Sequence, residues 1–182
     1  MRLFIACQFS REAQQEMERV RDELRRHSEK GNFTRSGNFH LTLAFLGEIG
    51  EEKIDSIKRC MKQSAGSDFN MKLRGIGCFP QKDGSIYWMG VQAPPELYAL
   101  RKNLYRLLRQ EGFCLDPKPF RPHITLGRRI RMDQPTKAIR MHPIISRVNR
   151  IFLMQSRRIH DKLVYKEIWK TPLGQKDGPE QR

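Results

Sequence analysis

One short pattern occurs twice in this chain, as His40-Leu41-Thr42-Leu43 and again as His123-Ile124-Thr125-Leu126. Both copies read as strands, because their aliphatic and β-branched residues suit a pleated, half-buried surface. Side chains alternate across a strand, so each histidine shares a face with its threonine. Leu41, Leu43 and Phe45, or Ile124 and Leu126, then point the other way. Any fold that holds both copies needs an apolar core behind each strand and an open polar surface in front of it.

Other strands and helices can be placed around these two. Arg2 to Phe9 is a strand-like apolar run, followed by Ser10 as an N-cap and Glu12 in the first turn of a helix with Ala13, Met17, Val20 and Leu24 on one face. That helix dissolves into the polar stretch from Arg25 to Gly31. Phe39 to Leu46 is the strand of the first copy, and Gly47 to Gly50 a loop into a helix carrying Ile54, Ile57 and Met61. Phe69 to Ile76 and Ser85 to Gln92 read as strands parted by a Pro80 to Gly84 turn. Leu97, Leu100, Leu104, Leu107 and Leu108 make Pro95 to Gln110 the strongest amphipathic helix. Prolines 117, 119 and 122 then lead into the strand His123 to Arg128. Residues 130 to 146 read as an irregular excursion, Val148 to Gln155 and Leu163 to Lys170 as two last strands, and 174 to 182 as a disordered tail. Strands alternate with helices and later pair as hairpins, which predicts an α+β fold.

A chain of 182 residues suits one domain, taken here as residues 1 to 173. No window is apolar enough for a membrane span, and the opening Met1 to Cys7 run is too short for a secretory signal, so the expected location is the cytoplasm. Cys7, Cys60, Cys78 and Cys114 are scattered singly and read as reduced structural thiols. Against 20 Asp and Glu stand 35 Lys and Arg, a formal charge of +15 that concentrates polyanions near the surface. The absence of H-E-x-x-H, D-x-D, phosphate-loop and G-x-S-x-G patterns removes the zinc, two-metal, nucleoside-triphosphate and serine-hydrolase classes. No metal and no cofactor are expected.

Along a strand the histidine and threonine of one copy stand roughly 6.6 Å apart, a spacing from which both reach one tetrahedral anion. Two imidazoles suit the opening of a phosphodiester, one taking a proton from the attacking oxygen and the other giving one to the leaving oxygen. The threonine hydroxyls of Thr42 and Thr125 would donate to non-bridging oxygens. General acid and base steps contribute about 10² to 10⁴ each, enough for a strained ring and modest for an unstrained diester. His27 and His142 read as solvent-exposed, and His160 as part of a hairpin turn. Of the aromatics Phe33, Phe39, Tyr87, Trp88 and Phe120, the last is the best candidate to stack on a base. Arg121, Arg128 and Arg129 flank the second copy and could contact RNA.

The duplicated arrangement resembles the 2H phosphoesterase superfamily, and within it the RNA 2′,3′-cyclic phosphodiesterases also known as 2′-5′ RNA ligases. Asn38-Phe39-His40-Leu41-Thr42-Leu43-Ala44-Phe45-Leu46-Gly47-Glu48 looks like the first motif, and Phe120-Arg121-Pro122-His123-Ile124-Thr125-Leu126-Gly127-Arg128 like the second. The resemblance implies two similar lobes of antiparallel sheet with outer helices around a central cleft. It implies His40 as proton donor to the leaving ribose oxygen, His123 as proton acceptor, and Thr42, Thr125 and Arg128 as phosphate ligands. It also implies an RNA ending in a 2′,3′-cyclic phosphate as substrate, a 2′-phosphomonoester as product, and 2′-5′ ligation as a second activity; a monomer is expected. Two other readings stay open: an RNA-binding protein of this fold without turnover, and a phosphodiesterase for cyclic nucleotides or 2′-5′ oligonucleotides. The stretch Ser156 to Lys162 lacks the Gly-Pro turn of relatives and has two arginines and a histidine there.

Overall fold

The N-terminal apolar run forms β1 (Arg2–Cys7), and its neighbours explain why it is apolar on both faces. In the computed structural model, which describes residues 1–132, 139–160 and 162–174, β1 lies inside a four-stranded sheet. Leu3, Ile5 and Cys7 point into the main core, while Phe4 and Ala6 join a small second cluster with Phe152 and Met154. The period of two is plain, yet both phases are apolar because both faces are covered.

The ordered elements that follow are α1 (Arg11–Arg26), β2 (Lys30–Phe33), β3 (Leu41–Glu48), α2 (Ile54–Ser64), β4 (Phe69–Phe79), β5 (Ser85–Gln92), α3 (Pro95–Gln110), β6 (His123–Arg131), β7 (Ile144–Val148), β8 (Arg150–Ile159) and β9 (Lys162–Pro172). They make two antiparallel sheets, ordered β3-β1-β8-β9 and β2-β6-β5-β4-β7. Helix α1 packs on the second sheet, against β2, β6 and β7, whereas α2 and α3 pack on each other and reach β9 and β3 of the first. The chain therefore passes repeatedly between two lobes, and β3 meets β6 where the lobes face each other. Ser10 caps α1 as expected, its Oγ accepting from the Ala13 N–H at 3.3 Å. Leu97, Leu100, Leu104 and Leu108 form the buried stripe of α3. The α+β, two-lobed expectation is met.

Several local expectations need correction. The strand of the first copy begins at Leu41, one residue after His40. Phe45 is exposed rather than core, at 45%. Bulges in the β1–β3 ladder, where Ile5 pairs Ala44 but Ala6 pairs Thr42, shift the alternation so that Ala44 and Leu46 turn inward. The polar Lys30–Phe33 segment forms an edge strand on β6. Of the supposed 130–146 excursion, residues 130–131 extend β6, Ile144–Val148 form β7 along β4, and Ile139 is buried; residues 133–138 lie outside the described residues. Strand β7 escapes a hydrophobicity pattern because its inward residue is Ser146, fully buried and accepting the Ser10 N–H, while Ile145 is 63% exposed. β4 runs three residues past the expected end, through a bulge at Gly75, which takes φ +75. At the start of the expected tail, Gly174 donates its N–H to the Gly66 carbonyl at 2.7 Å; residues 175–182 lie outside the described residues.

Gly90 pairs with His123 across the β5–β6 ladder. A Cβ at this position would run into the Arg74 carbonyl oxygen at the β4 bulge, a backbone atom with no rotamer to yield. Gly90→Ala is therefore expected to cost about 1–3 kcal/mol by overpacking. A thermal melt should fall by roughly 2–4 °C per kcal/mol; an unchanged melting temperature would refute the close approach.

Candidate active site

A short strap between the lobes places His40. Its first residue, Thr34, is tied to β6: the Thr34 hydroxyl donates to the Thr125 carbonyl at 2.9 Å and its N–H to the Leu126 carbonyl at 2.8 Å. From α1, the buried Arg21 guanidinium donates to the Thr34 carbonyl at 3.1 Å and to Ser36 Oγ at 3.2 Å. It also lies 5.7 Å from the Phe39 ring. At the far end, Asn38 Nδ2 donates to the Leu163 carbonyl on β9 at 2.9 Å. The strap thus leaves β2, is pinned to the strand that carries Thr125, and delivers His40 to the head of β3 on the opposite sheet.

The two imidazoles are held in the same way. His40 Nδ1 lies 2.7 Å from the carbonyl of Asn38, two residues back, and His123 Nδ1 lies 2.6 Å from the carbonyl of Arg121, also two residues back. A carbonyl can only accept, so each Nδ1 carries the proton and each Nε2 is left to exchange one with a ligand. Each ring also rests on aromatics of its own sheet. His40 lies 4.9 Å from both Phe4 and Tyr165, and His123 lies 5.3 Å from Phe79 and 6.2 Å from Trp88. Hydrogen bond and ring contacts fix orientation from two sides, so little torsional freedom is left to lose on binding.

Burial depresses the pKa of His40, and the charges of Arg128 and His123 push it the same way, against the Asn38 hydrogen bond that raises it. Those interactions put Arg128 and His123, both on β6, within electrostatic reach of His40 on the other sheet. Burial raises the Tyr165 phenol, while Arg128 and Arg2 pull it down. His40, Thr125, Arg128, Arg129 and Tyr165 all line one groove of about 880 Å³ between the lobes. Further along it lie Arg25, Arg35, Arg158 and Lys162, and Phe33 with the Arg25 guanidinium 4.9 Å from its ring. Arg129 takes φ +55 at a bulge in β6, a conformation that non-glycine residues adopt at a cost. Thr42 is exposed on β3, two residues beyond His40.

The structure brings together His40, Thr125, Arg128 and Arg129 in the groove; His123, on β6, is outside the groove lining and acts on His40 through its charge. Phe120 is elsewhere: its ring lies against Tyr98 and Arg101 of α3 in a separate groove. Phe33 and Trp88 are half-buried, Phe33 in the groove and Trp88 against His123, whereas Phe39 and Tyr87 are buried. Tyr165, Asn38 and Arg21 were not singled out from the sequence. Tyr165 is one aromatic among alternating residues of β9, and nothing local marks the face it takes. At the β8–β9 turn that lacks Gly-Pro, His160 adopts φ +47, the conformation a glycine would ordinarily supply. No helix among the described residues is long and apolar enough to cross a membrane.

Comparison with known proteins agrees with this arrangement. The family model described as the 2'-5' RNA ligase superfamily matches residues 9–159, which include both His-x-Thr copies. An RNA 2',3'-cyclic phosphodiesterase of Geobacillus stearothermophilus is 31% identical over 150 residues; the match takes 80% of this chain but spans about half, 48%, of that protein. One of the same name from Thermotoga maritima is 33% identical over 131 residues, 70% of either chain. Among solved structures, Escherichia coli LigT complexed with 3'-AMP superposes with a TM-score of 0.80 at 25% identity, over 96% of this chain and 98% of that one. The chain belongs to the 2'-5' RNA ligase superfamily of 2H phosphoesterases.

Proposed function

We propose that the protein hydrolyses the 2′,3′-cyclic phosphodiester at the end of an RNA, leaving a 2′-phosphomonoester, with His40 as proton donor and His123 as proton acceptor and without a metal ion. The observation that carries this reading is the matched pair of imidazoles, each with Nδ1 tied to the carbonyl two residues back and Nε2 without a partner among the described residues. His123 Nε2 takes a proton from water as its oxygen bonds to phosphorus. The P–O3′ bond breaks, and His40 Nε2 gives its proton to the departing O3′, so the site ends one proton transfer away from its starting state. Thr42, Thr125 and Arg128 hold the non-bridging oxygens, which gain charge as the fifth bond forms. Replacing water by the 5′-hydroxyl of a second RNA gives a 2′-5′ linkage by the same proton movements, which is the ligase reaction. The charge of +15 and the basic groove favour RNA over a free cyclic nucleotide. The relatives named as RNA 2',3'-cyclic phosphodiesterases support the same choice.

The test is an oligonucleotide ending in a 2′,3′-cyclic phosphate, incubated in EDTA, with the new end identified and the rate followed from pH 5 to 8. Ring opening to a 2′-phosphate is expected. The profile of kcat/KM should be bell-shaped, with both inflections belonging to the imidazole pair. Because burial, Arg128 and His123 all disfavour imidazolium at His40, the lower inflection should fall below the ordinary value of about 6.5. A bound phosphate anion opposes the Arg128 charge and stabilises imidazolium, so the same inflection should move up in the profile of kcat. A flat profile would refute the histidine roles, and no turnover would leave an RNA-binding protein of this fold.

A further inference from the structure

A second groove, of about 940 Å³, runs along the solvent face of α3 under the chain that leads into the second motif. The stripe of α3 that flanks its buried leucines brings Tyr98, Arg101, Tyr105, Arg106 and Arg109 to this groove. Phe120 closes the groove from the other wall. The Arg101 guanidinium is sandwiched, its carbon 3.8 Å from the Tyr105 ring centroid and 4.5 Å from that of Phe120. Its Nε is buried with no hydrogen-bond partner among the described residues. The Arg109 guanidinium lies 5.7 Å from the Tyr105 ring centroid, and Tyr98 stands edge-on to Phe120 at 6.0 Å and is 49% exposed. The one carboxylate on the wall, Asp116, is occupied by Lys118 at 3.8 Å.

A solvated basic helix face would spread its charges among polar residues and need no aromatic rings. Here rings and guanidiniums alternate in a concavity large enough for more than one nucleotide. That combination of stacking faces and phosphate-seeking cations is how single strands are held without sequence preference. We propose that the α3 groove is a second contact for single-stranded RNA, separate from the catalytic cleft. Phe120 lies three residues before His123, at most about 11 Å along the chain, so one oligonucleotide can touch both places. The inference rests on the reading of this chain as RNA-directed, but not on turnover.

The test is a fluorescence anisotropy titration of a labelled dodecauridylate against the full chain, at several salt concentrations. The double variant Arg106→Gln/Arg109→Gln is expected to raise Kd about tenfold. It should also flatten the slope of log K against log salt by about 1.4, two lost phosphate contacts at ~0.7 each on single strands. Tyr98→Ala should raise Kd about fivefold through lost stacking. All three side chains lie on the outer face of α3, so a thermal melt matching the unaltered chain verifies that the fold is intact. Unchanged affinity and salt slope in both variants would overturn the proposal. So would displacement of the RNA by polyglutamate at equal charge concentration, which would make the groove a site for acidic protein. Cyclic-phosphate opening by the unaltered chain is scored alongside. If the ring stays closed while the variants lose RNA, the groove stands and the catalytic reading falls; if the ring opens and affinity does not move, the groove falls alone.

Discussion

Replacing His40 by alanine should lower the rate of cyclic-phosphate opening by about 10² to 10⁴, and His123→Ala by a similar factor, each equivalent to roughly 3 to 5 kcal/mol of lost transition-state stabilisation. In the proposed mechanism each ring carries the proton on its side of the phosphorus, through Nε2, because Nδ1 is committed to the Asn38 or Arg121 carbonyl. Tyr165, whose ring lies against His40, is a poor substitute as proton donor, because burial pushes its phenol pKa up and makes it a weaker acid than imidazolium. The double variant should lose little more than the worse single one, since a site missing one member of an acid/base pair has already lost the concerted transfer. RNA affinity should survive, because the cations of the groove remain. Steady-state rates with anisotropy titrations on the same variants decide the matter. A variant that keeps its rate shows that histidine to be a packing residue on its aromatic floor.

The lobes and the motifs were legible in the sequence for the same reason. Each His-x-Thr copy alternates between a polar and an apolar face, and Leu41, Leu43, Ile124 and Leu126 are indeed buried to 1% or less. The three helices showed themselves through periodic leucine, isoleucine and methionine stripes. What failed was whatever depends on distant partners. Phe45 follows the alternation of its own strand in sequence, but a bulge set by pairing with β1 reverses it. Strand β7 buries Ser146 and exposes Ile145 because its hydrogen-bond partner waits at Ser10, far away in the chain. The aromatic floors under the histidines come from β1 and β9 on one sheet and from β4 and β5 on the other, and no local pattern tells which face Tyr165 or Phe79 takes. Phe120 was singled out for its nearness to His123 in sequence, and the chain turns it toward α3 instead.

The threonines should separate transition-state stabilisation from binding. Thr42→Val and Thr125→Val remove one hydroxyl each while keeping a β-branched shape that a strand accepts. Neither hydroxyl has a hydrogen-bond partner among the described residues, so valine removes no internal contact and only the proposed one to substrate. The tie from Thr34 reaches Thr125 through its backbone carbonyl and is untouched by the substitution. Phosphorus gains a fifth oxygen and its equatorial oxygens gain charge during ring opening, so a donor aimed at them binds more strongly at the summit than in the bound substrate. Loss of one such donor typically lowers kcat by about 10² to 10³. Thr42 is exposed, which weakens its hydrogen bond by competition with water and puts its expected loss at the lower end, about 10²; half-buried Thr125, in the groove with His40, should lose more. KM should change far less than kcat in both, and Thr→Ser at either position should restore most of the rate because the donor returns. A rise in KM at constant kcat would mean that the hydroxyls grip the substrate and its transition state equally, leaving Arg128 as the group that answers the growing charge.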